Sequence, residues 1–309
     1  MEPRTCEKCE KALPIDARFC PHCGTPLALV LEFDTPLAER LARALGPDFT
    51  VLGELGRGGF AVVFSVRDQR LKRYLDVKVM RPDLFTSPVA RERFHREAQF
   101  VAQLDHPHVL RVVFAGEQGG ISYFAMPRVK GETLERRLER ERLMALDDSM
   151  RTFRELALGL AYAHGKHVVH RDVKPANVLL DTDGKALLVD FGIAKGLSRD
   201  GGTLSFTGAV IGTPEYMSPE QASGSRSLDH RSDIYSLGVV AFEMLTGAQP
   251  FTAASPHELA HRKSRAVAPN VRHFRSDIPA TLAEFVARAL ESDPDRRWQA
   301  ASDLADRLS

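Results

Sequence analysis

The sequence predicts an α+β fold in two lobes, a small strand-rich one and then a larger helical one, behind a short cysteine-bearing head. Three observations carry that reading. From Phe49 to about Met80, Val- and Phe-rich runs alternate with Gly-rich or polar turns, as antiparallel strands do. After Gly131 the apolar residues recur at helical spacing instead. All four cysteines of the 309-residue chain fall within its first 23 residues.

Taken in order, residues 1–28 are too short and too poor in periodic apolar pattern to fold without a staple. Residues 29–48 read as a linker holding one amphipathic helix. Leu37, Leu41, Ala44 and Leu45 recur at helical spacing, with Thr35 as N-cap and Pro36 at the first helical position, and Gly46-Pro47 ends it. Strands follow from Phe49 to Met80, then a helix from about Val89 to Leu104. VLRVVFAGE (109–117) and ISYFAMP (121–127) read as two more strands. Helices are expected over Thr133–Arg142, Asp148–His164, Asp233–Leu245, His257–Arg262 and Pro279–Glu291.

Composition narrows the function classes. Apolar residues make up 43% of the chain and charged residues 27%, an ordinary globular balance. A net charge of +1 supplies no bulk field for nucleic acid or a membrane surface, so neither partner is expected. No window approaches eighteen consecutive apolar residues, so no membrane span is expected in this segment. The N-terminus lacks an apolar signal core, which points to a cytoplasmic location and away from disulfides.

Within the head, Cys6 and Cys9 form one C-x-x-C pair, and Cys20 and Cys23 form another ten residues on. Two such knuckles suit tetrahedral coordination of Zn²⁺ by four thiolates, and the metal would replace the missing core. Disulfides or free thiols are the bland reading, and sulfur-only ligation also admits iron. The pattern resembles zinc ribbons. Its acidic and basic residues offset one another, which favours a protein partner over nucleic acid.

The chemistry-bearing residues lie further along. Gly56, Gly58 and Gly59 sit in a turn between two predicted strands, where missing Cβ atoms let backbone N–H groups approach phosphate oxygens. Alone, that turn reads equally well as an ordinary hairpin. Lys78 stands in an alternating strand and Glu97 in the following helix, and each alone reads as a surface residue. His170-Arg171-Asp172-Val173-Lys174-Pro175-Ala176-Asn177 then leads to Asp190-Phe191-Gly192. In this order, the set resembles the eukaryotic-type Ser/Thr protein kinases, especially their bacterial branch, from Phe49 to Ser309.

The resemblance implies the two-lobed kinase fold and the transfer of the ATP γ-phosphate to Ser or Thr hydroxyls of protein substrates. It implies that Gly56, Gly58 and Gly59 cover the phosphates. Val63, Leu179, Pro127 and Val129 would enclose the adenine, with Met126 guarding the back of the pocket. Lys78 would hold phosphates, oriented by Glu97, and Asp172 would align the acceptor hydroxyl. Asn177 and Asp190 would bind Mg²⁺ through hard oxygens. Lys174 would touch the γ-phosphate, and it is the reason for expecting Ser/Thr rather than Tyr acceptors. Met217-Ser218-Pro219-Glu220 resembles the close of the activation segment. Glu220 is expected to pair with Arg297, and Asp233 to brace the catalytic loop.

Arg171 precedes Asp172 and could meet a phosphate on the activation segment. Ser205 and Thr207 are the expected autophosphorylation sites, reached through a transient homodimer. Thr213 is expected at the acceptor side. Two positions depart from the family. Ala61 replaces the third lid glycine, and Asp76 stands where the family usually has Ala against the adenine. An unpaired carboxylate there would be costly. The expectation is therefore weakened ATP binding that Asp76→Ala would tighten, with a pseudokinase or nucleotide-binding scaffold as the alternative function.

Overall fold

The computed structural model describes residues 36–59, 61–81, 92, 96, 98–191, 213–225 and 228–307. Cys6, Cys9, Cys20, Cys23, Glu97, Ser205 and Thr207 lie outside the described residues.

The first lobe is built on a five-stranded antiparallel sheet of β1 (Phe49–Arg57), β2 (Ala61–Asp68), β3 (Arg73–Met80), β4 (Phe114–Gln118) and β5 (Ile121–Pro127), in the order β1-β2-β3-β5-β4. Strand alternation divides its two faces. Val62, Phe64, Val66, Leu75, Val77, Val79, Ile121 and Ala125 form a core on one face. Lys78, Asp76 and Val63 belong to the other set, with Val63 opposite Lys78 in the β2–β3 register.

Helix α1 (Leu37–Leu45) packs onto that first face. Leu41 is fully buried there, a side chain whose burial is worth about 2 kcal/mol. Arg40 Nη2 donates to the Gly119 carbonyl at 3.0 Å and ties the helix to the β4–β5 turn. The helix that the sequence places in a linker thus forms part of the first lobe's packing. Pro36, expected at the first helical position, is its N-cap instead, so the helix begins one residue later than the sequence reading placed it.

Strand β4 begins at Phe114 rather than at residue 109. The reason is a competing partner: Val109 bridges to Leu188, and the Leu110 amide donates to the Leu188 carbonyl at 2.9 Å. The front of that apolar run therefore crosses to the second lobe. Of the helix expected over 89–104, residues 92, 96 and 98–102 are helical among those described.

The second lobe contains α2 (Leu134–Glu141), α3 (Leu146–Gly165), α4 (Pro219–Ala222), α5 (Arg231–Thr246), α6 (Pro256–Arg265), α7 (Ala280–Ala289) and α8 (Ala301–Arg307). Helix α5 carries apolar side chains all round and forms the centre of a core shared with α3, α7 and α8. A small sheet of β6 (Gly131–Thr133), β7 (Val178–Asp181) and β8 (Ala186–Leu188) lies beside the cleft. The sequence reading did not foresee this sheet, because three- and four-residue strands hold too few alternations to register. Gly131 is required in it: a Cβ there would stand 1.9 Å from the Leu180 carbonyl oxygen. Among the described residues no helix is long and apolar enough to cross a membrane.

Candidate active site

A cavity of about 300 Å³ opens between the lobes. Gly56, Gly58, Gly59, Val63, Lys78 and Met126 line it from the first lobe, and Asp172, Lys174, Asn177 and Asp190 from the second. Pro127, Val129 and Leu179 are half-buried and lie outside that lining. The sequence reading missed the apolar back wall, which includes Met80, Val101, Leu110, Val112 and Phe124. Only Met80 had a local signal, since it shares the Lys78 face of β3. The others are brought together by the fold.

Gly56, expected in a turn, lies within β1 opposite Val63. The turn at Gly58-Gly59 follows that strand and closes through the Gly58 amide, which donates to the Ala61 carbonyl at 2.9 Å. Neither a left-handed backbone nor a neighbour within 4 Å demands glycine at Gly56 or Gly59. The fold alone does not explain these glycines.

Lys78 Nζ lies 2.8 Å from Asp190 Oδ1 across the cleft. Asp190 adopts a left-handed backbone (φ 62°), an uncommon state for a non-glycine residue. The next residue, Phe191, is buried and packs on the His170 ring with centroids 4.5 Å apart. His170 is itself fully buried, and burial pushes its pKa below the ordinary value. The Asp172 amide can only donate to Nδ1, so that nitrogen carries no proton and the ring is neutral. Its Nε2–H then donates to the Val189 carbonyl at 3.0 Å, while Nδ1 accepts from the Asp172 amide at 3.3 Å. One imidazole joins the two segments that carry the acidic residues.

Asp172 is held from two sides. Lys174 Nζ approaches its Oδ2 at 3.1 Å. Asn177 Nδ2 donates to its Oδ2 at 2.9 Å and to its carbonyl at 2.8 Å. The amide nitrogen of Asn177 is thereby committed to Asp172, and the amide oxygen is left for another partner. Lys174 Nζ also donates to Thr213 Oγ1 at 3.1 Å, which brings Thr213 beside the loop that carries Asp172.

The loop is braced from α5. Asp233 accepts from the amides of His170 and Arg171, both at 2.7 Å, and from His164 Nε2 at 2.9 Å. Burial alone would raise its pKa, but the hydrogen bond and charge of His164, with those from His170, hold it below the ordinary value. Glu220 and Arg297 form a two-pronged pair with both N–O distances at 2.7 Å. The other Arg297 donors reach the carbonyls of Glu291, Arg231 and Ser292, so all five are matched.

Asp76 is not left unpaired. Arg128 Nε lies 3.0 Å from its Oδ1, and Arg128 Nη1 donates to Ser65 Oγ at 3.2 Å. The Nε–H is not aimed well enough at Oδ1 to make a full hydrogen bond, so the pair acts mainly through charge. Burial raises the Asp76 pKa, and Arg128 draws it back only in part. The β3 register sets Asp76 opposite Met126, two residues before Arg128. The sequence reading does not single out Arg128, which lies between Pro127 and Val129.

A lysine, two carboxylates and an amide therefore meet under a glycine turn, with a neutral histidine joining their backbones. The protein kinase domain family matches residues 49–308. The chain belongs to that family. A probable serine/threonine-protein kinase of Streptomyces coelicolor is 40% identical over 268 residues, 85% of this chain and 39% of that protein. Serine/threonine-protein kinase PknB of Mycobacterium tuberculosis is 40% identical over 260 residues, 82% of this chain and 41% of PknB. Serine/threonine-protein kinase PrkC of Bacillus subtilis is 33% identical over 264 residues, 85% of this chain and 40% of PrkC. The chain thus spans about two fifths of the length of these relatives. Among solved structures, the kinase domain of Mycobacterium tuberculosis PknI superposes with a TM-score of 0.65 at 28% identity, over 84% of this chain and 95% of that one. The two-lobed kinase fold expected from the motifs is the fold found.

Proposed function

We propose that this chain is a Ser/Thr protein kinase that transfers the γ-phosphate of ATP to protein hydroxyls. The observation that carries the reading is the meeting of Lys78, Asp190, Asp172 and Asn177 in one cleft under Gly56 and Gly59. The serine/threonine kinase names of the relatives support the acceptor class, as does Lys174 beside Asp172 and Thr213.

The donor set fits a magnesium-bound triphosphate. Asp190 and the unengaged oxygen of Asn177 are hard ligands suited to Mg²⁺. When bound, the metal supplies positive charge against the β- and γ-phosphates. Lys78 holds phosphate oxygens by exchanging part of its contact with Asp190. Asp172 orients the acceptor hydroxyl and accepts its proton at a carboxylate oxygen, and Lys174 adds positive charge beside it. Positioning and charge account for most of the rate, because a loose transition state asks little of a base. Glu97 is proposed to orient Lys78. Val63, Met126, Pro127, Val129 and Leu179 are proposed to enclose the adenine.

The Arg128 charge beside Asp76 weakens the main argument for a pseudokinase. Incubation with labelled Mg-ATP and a histone-type basic protein tests the reading. Labelling of Ser or Thr that disappears in Asp172→Asn supports it, and absence of labelling by the wild-type chain overturns it.

For residues 1–28 we propose a zinc ribbon on Cys6, Cys9, Cys20 and Cys23 that contacts a protein partner. One zinc per chain by metal analysis, lost in Cys6→Ser/Cys9→Ser, is the expected result. Autophosphorylation at Ser205 and Thr207 through a transient homodimer, and a cytoplasmic location, complete the proposal. Mass spectrometry after incubation with Mg-ATP is expected to find phosphate on both residues.

A further inference from the structure

Lys263 on α6 is 1% exposed, yet it does not serve the cleft. Its Nζ donates to the carbonyls of Pro214, Glu215 and Met217 at 2.7, 2.6 and 2.8 Å. Three N–H donors meet three acceptors from one four-residue stretch. Among the described residues, no carboxylate lies within ion-pair distance of it. The other charged groups near it are Glu215 on the loop and, across the Tyr235 ring, Arg297 with its partner Glu220. Burial pushes the Lys263 pKa down to about 7, and Glu215 draws it up. The three carbonyls also favour the ammonium, because they accept from its charged form.

Three carbonyl dipoles turned toward one point repel one another. The Lys263 donors at their focus offset that repulsion and hold the loop in this shape. The same loop is fastened at both ends to the catalytic segment. At its start, Thr213 Oγ1 accepts from Lys174, which also contacts Asp172. Beyond its end, Gln221 Nε2 donates to the Arg171 carbonyl at 3.1 Å, and Ser218 and Gln221 cap α4 reciprocally. Between these fastenings Lys263 holds the backbone carbonyls, while the Tyr216 hydroxyl separately donates to Glu243 at 2.7 Å and accepts from Gln249 at 3.1 Å.

We propose that Lys263 is a positioning residue for the acceptor: it shapes loop 213–217 so that a protein hydroxyl is presented to Asp172. The inference rests on the kinase reading above and adds to it the determinant of acceptor binding. It predicts a split between the two substrates, since the loop's hydrogen bond into the ATP cavity goes to Lys174, whereas Lys78, Asn177 and Asp190 are held by contacts outside the loop.

The test compares the full-length wild type with Lys263→Met, which keeps a long apolar stem without donors, and Lys263→Gln, which keeps two N–H donors without charge. The expected result is a KM for a histone-type basic protein at least tenfold higher in Lys263→Met and raised less in Lys263→Gln. The KM for ATP is expected to stay within twofold in both. Should Lys263→Met fail to fold, Lys263→Gln is judged by the same split. An unmoved acceptor KM, or a parallel rise of both KM values, overturns the role of Lys263. Wild-type protein that labels nothing contradicts the kinase reading itself.

Discussion

Lys78 and Lys263 are both largely withdrawn from water, and they are held in opposite ways. Lys78 keeps 21% of its side chain exposed and faces the Asp190 carboxylate across a gap between lobes. Lys263 is closed off and faces three backbone carbonyls within one lobe. A cation facing a carboxylate in an open cleft can exchange that partner for a phosphate. A cation at the focus of three carbonyls has no substitute to accept. The same contrast separates Asp76–Arg128, half-exposed and joined mainly by charge, from Glu220–Arg297, buried with every guanidinium donor matched. Chemistry sits at the exchangeable contacts, and the saturated ones hold the frame.

The sharpest way to break the comparison is to remove a group from the exchangeable set. Asp172→Asn is expected to lower phosphoryl transfer by about 10²–10⁴-fold while leaving the melting temperature nearly unmoved. Initial rates with labelled ATP and a calorimetric scan of the same preparation check both halves.

The saturated set predicts the reverse. Arg297→Met strands a buried carboxylate on Glu220 and is expected to cost about 3–5 kcal/mol. That corresponds to a fall of the order of 10 °C in the melting temperature. Replacing Glu220 by Gln as well is expected to return part of the loss, because the stranded charge is gone.

Acid titration sharpens the same point with a smaller effect. Glu220 and Asp233 both have folded pKa values held below the ordinary 4.5 and 3.8. In that range the unfolded chain binds more protons, so stability falls as pH falls. The contribution is complete above about pH 4.5 and disappears as the pH drops below these ordinary values. Denaturant midpoints between pH 6 and 3 are expected to show it, with a shallower slope in Glu220→Gln.

The smallest effect is expected at Asp76. Because Arg128 offsets its charge, Asp76→Ala is expected to tighten ATP binding by only about threefold or less in calorimetry. Arg128→Ala is expected to weaken it more, since it leaves the carboxylate uncompensated. A tenfold or greater gain in Asp76→Ala would show that the pair does not neutralise the site.

The fold was legible where periodicity ran long. The apolar pattern of α5 and the alternation of β2 and β3 each span eight residues or more, enough to fix type and face. It was illegible where strands are three or four residues long, as in β6 to β8, and where Val109 leaves its apparent strand for Leu188. In the site, Lys78, Asp172, Asn177 and Asp190 could be found because ordered motifs carry them. Arg128 and Lys263 could not. Arg128 acts through a register partner on another strand, and Lys263 acts through backbone carbonyls, which leave no trace in residue type.

The most direct test of the central claim replaces the cleft cation alone. Full-length wild type and Lys78→Met are incubated with γ-labelled Mg-ATP and a histone-type basic protein, and phosphoamino acids are separated from the labelled product. Phosphoserine or phosphothreonine formed by the wild type and reduced at least a hundredfold in Lys78→Met is the predicted result. Equal labelling by the two proteins, or none by the wild type, would contradict the account.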